Sequence, residues 1–422
     1  MTTVRTAVEL DNINVDSSNE AAEQPEGRHN GLDAVSGQDF SLPPVDRGKS
    51  AWLFLAACWM VEALVGVMYM GTPIVLTLCR LYPHRARWFT LAGLLAASVT
   101  MVLGSLCTTV TQLILTQGVL FAISGCFAYC PCVLYIDEWF VQRKGMAFGI
   151  VWSAAGFGGV VLPLLFEVLL TSYGFPTTLR IWAGMVAVLA VPVSLFIKPR
   201  LPPSATTNFR PFNVRFITSR GFLLHQAANV IQATGYFLPV IYLPSYARTT
   251  FGTSTFLSAL TLLLANLSTM VGSVMMGSMT DKLQTTTCII ISAVGAGTST
   301  LLVWGLSSSL GTLYTFCVLY GLFAGCWSSI WPGIMRDIAR RGGEAGDQRY
   351  HDPIMVFAFL CAGRGLGNVV SGPLSESLIR GMAWQGQADG GYGSGYGPLI
   401  VYTGITTVLS GSSFVWKHIG LL

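Results

Sequence analysis

Eleven strongly apolar stretches, most of them close to 20 residues long, run from Trp52 to Trp416 and are separated by short polar connections. An α-helix rises 1.5 Å per residue, so about 20 residues cross the roughly 30 Å hydrocarbon core of a bilayer. A helix also satisfies its own backbone N–H and C=O groups, which have no water to bond in that core. The pattern therefore predicts an all-α polytopic membrane protein with about 11 spans.

Basic residues fall almost entirely on alternate connections between these stretches. Sixteen of them lie on one side: Arg80, Arg85, Arg87, Arg143, Lys144, Lys198, Arg200, Arg210, Arg215, Arg220, Lys282, Arg336, Arg340, Arg341, Arg349 and Lys417. The other side has only Arg180, Arg248 and Arg380. Since Lys and Arg in short loops are retained in the cytosol, the first group marks the cytosolic face of an integral, multi-pass protein.

Composition supports a bilayer as the principal partner. Charged residues make up 10% of the chain and hydrophobic residues 52%, whereas a soluble domain carries about 25% charge. The net charge of +4 reflects the cytosolic loops, and no basic face is interleaved with exposed aromatics, so no nucleic-acid partner is expected.

Chemical motifs of enzymes are absent from the sequence. The ten cysteines all fall in apolar stretches, and Cys130-Pro-Cys132 lacks metal-ligand spacing, so they are interpreted as packing residues and no metal site is expected. No Gly-rich nucleotide-binding loop with a Lys occurs, and no paired carboxylates or clustered histidines occur at chemical spacing. We therefore expect neither enzymatic activity nor a cofactor.

Four regions divide the chain. Residues 1–48 carry nine acidic residues and few large apolar groups, which predicts a disordered N-terminal tail. Residues 49–197 form a first helical bundle, 198–220 a basic cytoplasmic linker, and 221–422 a second bundle of six helices. The two bundles look like diverged copies, because a Gly-x-Gly motif precedes a Glu by the same distance in Gly156–Glu167 and in Gly365–Glu376. Parallel repeats of this kind occur in transporters, although one such motif alone is more typical of helix packing.

Several segments resemble the monocarboxylate-transporter-like branch of the major facilitator superfamily, particularly its fungal permease-like members. They are Trp139–Gly149 with its basic pair, the continuation to Gly158, Gly235–Ala247, and Gly363–Pro373. The resemblance covers approximately residues 66–416 and implies a major facilitator fold of two helical bundles that alternates access to a central site. A plasma-membrane location is expected in preference to a vacuolar or another internal membrane.

The sequence departs from the family pattern at its first two helices. Trp52–Leu78 has 27 residues, about 40 Å as a helix, where the family has two helices and an outer loop. We expect one merged helix that crosses once, which leaves the first bundle one span short of the 6+6 pattern. The alternative is that this segment enters the membrane and returns without crossing. The loss of a span would make the chain weakly active or inactive.

Ionisable groups inside a membrane are costly and are therefore functional candidates. Arg364 is the strongest, because a guanidinium can hold a carboxylate through two parallel hydrogen bonds; a structural pair with a buried Glu is the alternative. Glu62 and His225 are candidate proton sites, and an interfacial histidine is the alternative for His225. Glu167 and Glu376 lie near helix ends, where solvation explains them.

Polar and aromatic residues near Arg364 extend the predicted substrate or coupling site. They are Asn229, Gln232, Tyr236, Tyr242 and Asn266, for which packing between helices is an equally good interpretation. Arg143, Lys144 and Asp281 lie at cytosolic turns and are interpreted as gating or topology elements. The leading hypothesis is a secondary active transporter of a small, monocarboxylate-like organic anion, with a proton as the candidate coupling ion. A non-transporting membrane sensor or scaffold, or an inactive truncated transporter, is the alternative.

Overall fold

Helices make up nearly all of the chain that the computed structural model describes, namely residues 43–66, 70–201, 212, 214–344 and 352–420. No β-strand occurs within these ranges. Most of the tail predicted to be disordered, and residues 202–211 and 213 of the predicted linker, lie outside them. Among the described residues, eight helices are long and apolar enough to cross a membrane, and one of these has 53 residues.

The first half of the chain forms six helices. They are α1 (Lys49–Val65), α2 (Thr72–Leu81), α3 (Pro83–Gly104), α4 (Val110–Trp139, with a π-helical segment at Ile114–Leu120), α5 (144–173) and α6 (175–196). The last two helices are continuous except at Gly174, where φ is 74° and ψ is 170°. Such a positive φ favours glycine and turns the chain back across the membrane.

The second half contains helices that are interrupted by proline and by short irregular segments. They are α7 (Arg220–Phe251), α8 (Thr255–Lys282), α9 (Thr285–Trp304), α10 (Leu310–Phe323), α11 (Trp331–Glu344), α12 (Pro353–Ile379), α13 (Gly397–Ser410) and α14 (Ser413–His418). A 3-10 turn at Trp327–Ile330 separates α10 from α11. Together these segments form one candidate membrane span, Leu310–Arg340.

The beginning of the chain differs most from the sequence prediction. Instead of one helix from Trp52 to Cys79, α1 ends at Val65, Gly66 adopts a φ of 70°, and α2 begins only at Thr72. At 1.5 Å per residue these helices are about 25 Å and about 15 Å long, so neither spans a 30 Å core. The single merged helix is corrected to two short helices.

Contacts place the start of α1 and the end of α2 on the same side of the molecule. Phe54 stacks on Trp139 at the cytosolic end of α4, with ring centroids 5.8 Å apart. Arg80 at the end of α2 forms a salt bridge with Asp352, which caps α12 on the cytosolic side. The segment therefore enters and returns, the alternative that the sequence left open, because α1 leads away from this side and α2 leads back to it.

The outer parts of α4 and α5 lack the cover that full-length neighbours would give them. Residues 110–123 of α4 and residues 159–177, which include the outer part of α5, contain no buried residue. The Cβ position of Gly158, 14 residues into α5 and about 21 Å from its start, lies 3.7 Å from the carbonyl oxygen of Ala63. The end of α1 therefore lies beside the middle of α5, well short of its outer end.

Glycines bring the two halves of the molecule together at their cytosolic ends. A Cβ atom built on Gly149 of α5 would lie 2.4 Å from the carbonyl oxygen of Ser273 in α8, and one on Gly277 would lie 2.3 Å from the carbonyl oxygen of Gly145. Since only glycine permits this approach, α5 and α8 pack backbone against backbone. The cytosolic side is closed in this conformation.

Candidate functional site

Arg364 lies on the stripe of α12 that faces the first half of the molecule. Cys361 and Phe357, one and two turns earlier, belong to the core cluster that also contains residues of α1 and α4. Spacings of three and four residues put Arg364 on the same helix face. Its side chain is 2% exposed, which is costly for a charge in a membrane protein.

The guanidinium of Arg364 is directed toward α7. Its Nη1 donates a hydrogen bond to Oε1 of Gln232 at 2.8 Å. The guanidinium carbon also lies 4.7 Å from the ring centroid of Tyr236 and 6.0 Å from that of Phe237. Cation–π contact and a neutral amide compensate part of the desolvation cost without neutralising the charge. A buried guanidinium with these contacts can also pair with an anion through its N–H groups.

Tyr236 is itself fixed by α10. The hydroxyl of Tyr320 donates to the carbonyl oxygen of Tyr236 at 2.9 Å, and the two rings stack with centroids 6.2 Å apart. Pro239, also inside α7, has no N–H to donate to the carbonyl oxygen of Gly235 four residues earlier, and that oxygen accepts from Oγ1 of Thr403 at 3.5 Å instead. The sequence analysis overlooked Tyr320, since nothing in its apolar surroundings distinguishes it from a packing residue.

Glu62 of α1 lies across the bundle interface from this group. It is 3% exposed, and its Oε2 atom has no hydrogen-bond partner among the described residues. Its carboxyl interacts electrostatically with Tyr129 of α4 and with Cys361, and Cys361 interacts in the same way with Arg364. Glu62 and Arg364 therefore both lie within electrostatic reach of Cys361.

Two further polar atoms at this level also lack hydrogen-bond partners within the described part of the chain. They are the hydroxyl of Tyr129 and Oδ1 of Asn368, which is one turn beyond Arg364 on α12. Buried polar groups are rarely left unsatisfied, and those that are usually face a water, an ion or a ligand. Together with Glu62 they form the central polar cluster: Glu62, Tyr129, Gln232, Tyr236, Arg364 and Asn368.

The remaining predicted site residues lie elsewhere. Asn229 donates to the carbonyl oxygen of Leu360 at 2.8 Å and accepts from Nε1 of Trp327 at 3.2 Å, so it links three helices. Asn266 donates to the carbonyl oxygen of Gly159 at 3.2 Å. Both amides make the packing contacts that were the alternative interpretation.

Tyr242 and His225 lie on α7 on opposite sides of Gln232 and Tyr236. The hydroxyl of Tyr242 lies 3.3 Å from Oγ of Ser375 on α12, two turns of α7 beyond the central polar cluster. His225 is 4% exposed and lies near the cytosolic start of the helix. Neither residue contacts Arg364 through a described hydrogen bond, so the sequence prediction grouped residues that are spread along the helix.

The predicted gating residues lie at the cytosolic closure. Two backbone N–H groups at the start of α5, those of Gly145 and Met146, donate to the Asp281 carboxylate at 2.7 and 2.8 Å. Lys144 pairs with Asp137. Asp281 thus holds the N-terminus of a helix from the other half, where its charge also complements the helix dipole.

Asp46 completes this cap from the N-terminal side. Its carboxylate accepts from the backbone N–H groups of Val141 and Arg143 at 3.1 Å each and from that of Gln142 at 3.0 Å. Five otherwise unpaired N–H groups around the start of α5 are therefore satisfied by two carboxylates. Asp46 was assigned to the disordered tail because its partners lie almost 100 residues away.

An aromatic cluster lies between these caps and the central polar cluster. Trp152 of α5 stacks on Phe357 of α12 with ring centroids 5.9 Å apart, and Trp331 meets both rings edge-on at 5.3 and 5.6 Å. Each of these large rings is buried. The cluster separates Arg364 from the cytosol in this conformation.

Comparison with known proteins was consistent with this architecture. Residues 45–347 match the profile of the Major Facilitator Superfamily. An "MFS-type transporter 1" of Ophiocordyceps sp. is 27% identical over 377 residues, which cover 86% of this chain and 76% of that relative. "Monocarboxylate transporter 10" of Danio rerio is 27% identical over 293 residues, which cover 64% of this chain and 55% of that relative.

A solved structure supports the same fold. The human organic anion transporter MFSD10 (TETRAN) superposes with a TM-score of 0.56 at 12% identity, covering 88% of this chain and 83% of that one. At this identity the likeness concerns the fold alone. The predicted all-helical membrane fold of two bundles is confirmed, with the α1–α2 hairpin in place of one merged helix.

Proposed function

We propose that this chain, which belongs to the Major Facilitator Superfamily, is a secondary active transporter of a small organic anion with one carboxylate. We further propose that this anion binds at Arg364. The buried guanidinium of Arg364, which donates to Gln232 and lies over the ring of Tyr236, is the observation that carries the proposal. A guanidinium holds a substrate carboxylate through a bidentate pair. The relative from Danio rerio whose name includes monocarboxylate transport supports this substrate class.

Glu62 is our candidate for proton coupling. Buried carboxyl groups in transporters take up and release protons as access alternates. Glu62 is buried, and Tyr129 of α4 and Cys361 of α12 are among the described groups that interact with it electrostatically. A proton on Glu62 would allow the anion to occupy the cluster without two adjacent negative charges. Anion and proton would then move in the same direction.

Transport through this site requires the two halves to rock around it. The cytosolic side is closed by Asp281, by the pair of Arg80 with Asp352 and by the aromatic cluster. Opening it exchanges these contacts for contacts on the outer side. Alternating access of this kind uses rigid-body motion of one repeat against the other.

A non-transporting scaffold, or an inactive truncated transporter, is the second candidate function. One observation favours it: α1 and α2 have 17 and 10 residues and do not cover the outer parts of α4 and α5. A bundle with such a gap would bind an anion at Arg364 without sealing the pathway on the outer side. Binding without net uptake would identify this case.

Uptake of labelled pyruvate or lactate by the purified chain in proteoliposomes tests the proposal. We expect saturable uptake that increases when the outside is acidic and the inside neutral, and that collapses when a protonophore abolishes the gradient. Protein-free liposomes correct for diffusion of the undissociated acid. Uptake that never exceeds this background, together with an absence of anion binding, would contradict the transporter proposal.

A further inference from the structure

A second polar site lies on the cytosolic face, away from the central polar cluster. A cavity of about 410 Å³ opens where α5, α8, α11 and the start of α12 meet, and Lys144, Asp281, Arg336 and Arg340 line it. A neighbouring cavity of about 400 Å³ shares Asp281, Arg336 and Arg340 and adds Lys282 and Asp337. Four cationic side chains and two carboxylates thus surround the joined cavities.

The carboxylate of Asp281 does not neutralise all of these cationic side chains. It already accepts hydrogen bonds from the N–H groups of Gly145 and Met146 at the start of α5. Arg336 donates through Nη2 to the carbonyl oxygen of Thr280 at 2.9 Å, which uses one of its five N–H groups and neutralises no charge. Lys144 is paired with Asp137, so the positive charge comes from Lys282, Arg336 and Arg340, which outnumber Asp281 and Asp337 among the described residues that line the two cavities.

We propose that this cavity binds a multiply charged phosphate ester. Arginine forks match phosphate oxygens through paired hydrogen bonds, and lysine adds a compact charge beside them. The volume lies within the roughly 300–1,000 Å³ range of small-molecule sites. Both a phosphoinositide headgroup of the cytosolic leaflet and a soluble phosphorylated metabolite carry this chemistry.

Binding here stabilises the cytosol-closed conformation. Lys144 belongs to α5 in the first half, whereas Arg336 and Arg340 belong to α11 in the second half. An anion that contacts both sets bridges the halves, and it loses one set when the cytosolic side opens. A ligand shifts a conformational equilibrium by its differential affinity for the two states. The site therefore controls the rate of alternation without contacting the central polar cluster.

Binding by the full chain in nanodiscs tests this inference with two probes. One is fluorescent inositol trisphosphate, and the other is vesicles that contain a small fraction of phosphatidylinositol bisphosphate in phosphatidylcholine. The test variant is Arg336→Gln/Arg340→Gln. The matched control is Arg85→Gln/Arg87→Gln, which removes the same charge from exposed cytosolic positions at the start of α3 that do not line the cavity.

We expect the test variant to weaken binding by about tenfold or more and the control to leave it nearly unchanged. If both probes bind, the phosphate ester is sufficient for binding without a lipid tail. If only the vesicles bind, the ligand is the lipid headgroup. The single variant Arg340→Gln keeps the bond of Arg336 to Thr280, so a severalfold loss in it supports the site even if the double variant unfolds. Equal binding by test and control variants, or no binding of either probe by the parent chain, overturns the inference.

Discussion

Arg364 and Gln232 join α12 to α7 through a buried hydrogen bond of 2.8 Å between the guanidinium Nη1 and the amide Oε1. The amide orients the cation without cancelling its charge. The guanidinium is held between Gln232 and the ring of Tyr236. Changes at Gln232 separate the structural role of this bond from its proposed role in transport.

Replacement of Gln232 by Glu should have opposite effects on stability and on transport. A carboxylate at this position would pair with Arg364, so we expect the melting temperature to be retained or raised. The same pair competes with the substrate carboxylate, so uptake should fall by about tenfold or more. Gln232→Ala, in contrast, leaves a buried donor unsatisfied and should lower the stability by about 1–3 kcal/mol. Parent-like uptake by Gln232→Glu would argue against substrate contact at Arg364.

Replacement of Glu62 by Gln tests proton coupling with little change in shape. We expect Glu62→Gln to fold normally and to exchange labelled for unlabelled anion across the membrane, because exchange needs no net proton movement. Accumulation driven by a pH gradient should be lost. A variant that still accumulates anion against its gradient in response to external acid would exclude Glu62 as the coupling group.

The close approach of α5 and α8 predicts a steep difference between two Gly→Ala variants. Gly149→Ala would place a Cβ atom 2.4 Å from the carbonyl oxygen of Ser273, which forces the cytosolic halves apart and should cost about 1–3 kcal/mol. Gly184→Ala in α6 meets nothing within 4 Å and serves as the control. We expect only Gly149→Ala to lower the melting temperature; equal melting temperatures would contradict the packing.

The salt bridge between Arg80 and Asp352 predicts measurable coupling between the α1–α2 hairpin and α12. The two side chains are 15% and 9% exposed, and a second contact joins Nη2 to Oδ1 at 2.9 Å. In a double-mutant cycle of Arg80→Gln and Asp352→Asn we expect an interaction energy of about 0.5–3 kcal/mol. Asn can still cap α12 through the N–H of Ile354, so the cycle isolates the ion pair. An interaction energy near zero would mean that the hairpin end does not dock on α12.

The sequence analysis identified the positions of most helices, because apolar length and alternating basic loops follow directly from membrane physics. It also identified Arg364, since a lone arginine in a long apolar stretch stands out. It did not resolve the hairpin, because 27 apolar residues fit one tilted helix as well as two short ones. Gly66 and Gly71 marked the reversal, but glycine is also common in continuous membrane helices.

The contacts of the site were less predictable than its residues. Tyr129 and Tyr320 are surrounded by apolar neighbours and resemble packing residues, and only the helix register in three dimensions shows what they face. Asn368 could have been selected, because it lies four residues after Arg364 and therefore on the same helix face. Asp46 could not, since its partners are set by how the chain folds back onto the start of α5.

Uptake by Arg364 variants tests the central claim most directly. The experiment compares the parent chain with Arg364→Ala and Arg364→Lys, each purified as a monodisperse protein and reconstituted in equal amount. The control is Arg380→Ala, which changes an exposed arginine at the end of the same helix. We predict that Arg364→Ala loses saturable uptake of the labelled anion, that Lys restores little of it because the bidentate geometry is lost, and that Arg380→Ala transports normally. Uptake by Arg364→Ala at the parent rate would contradict the account.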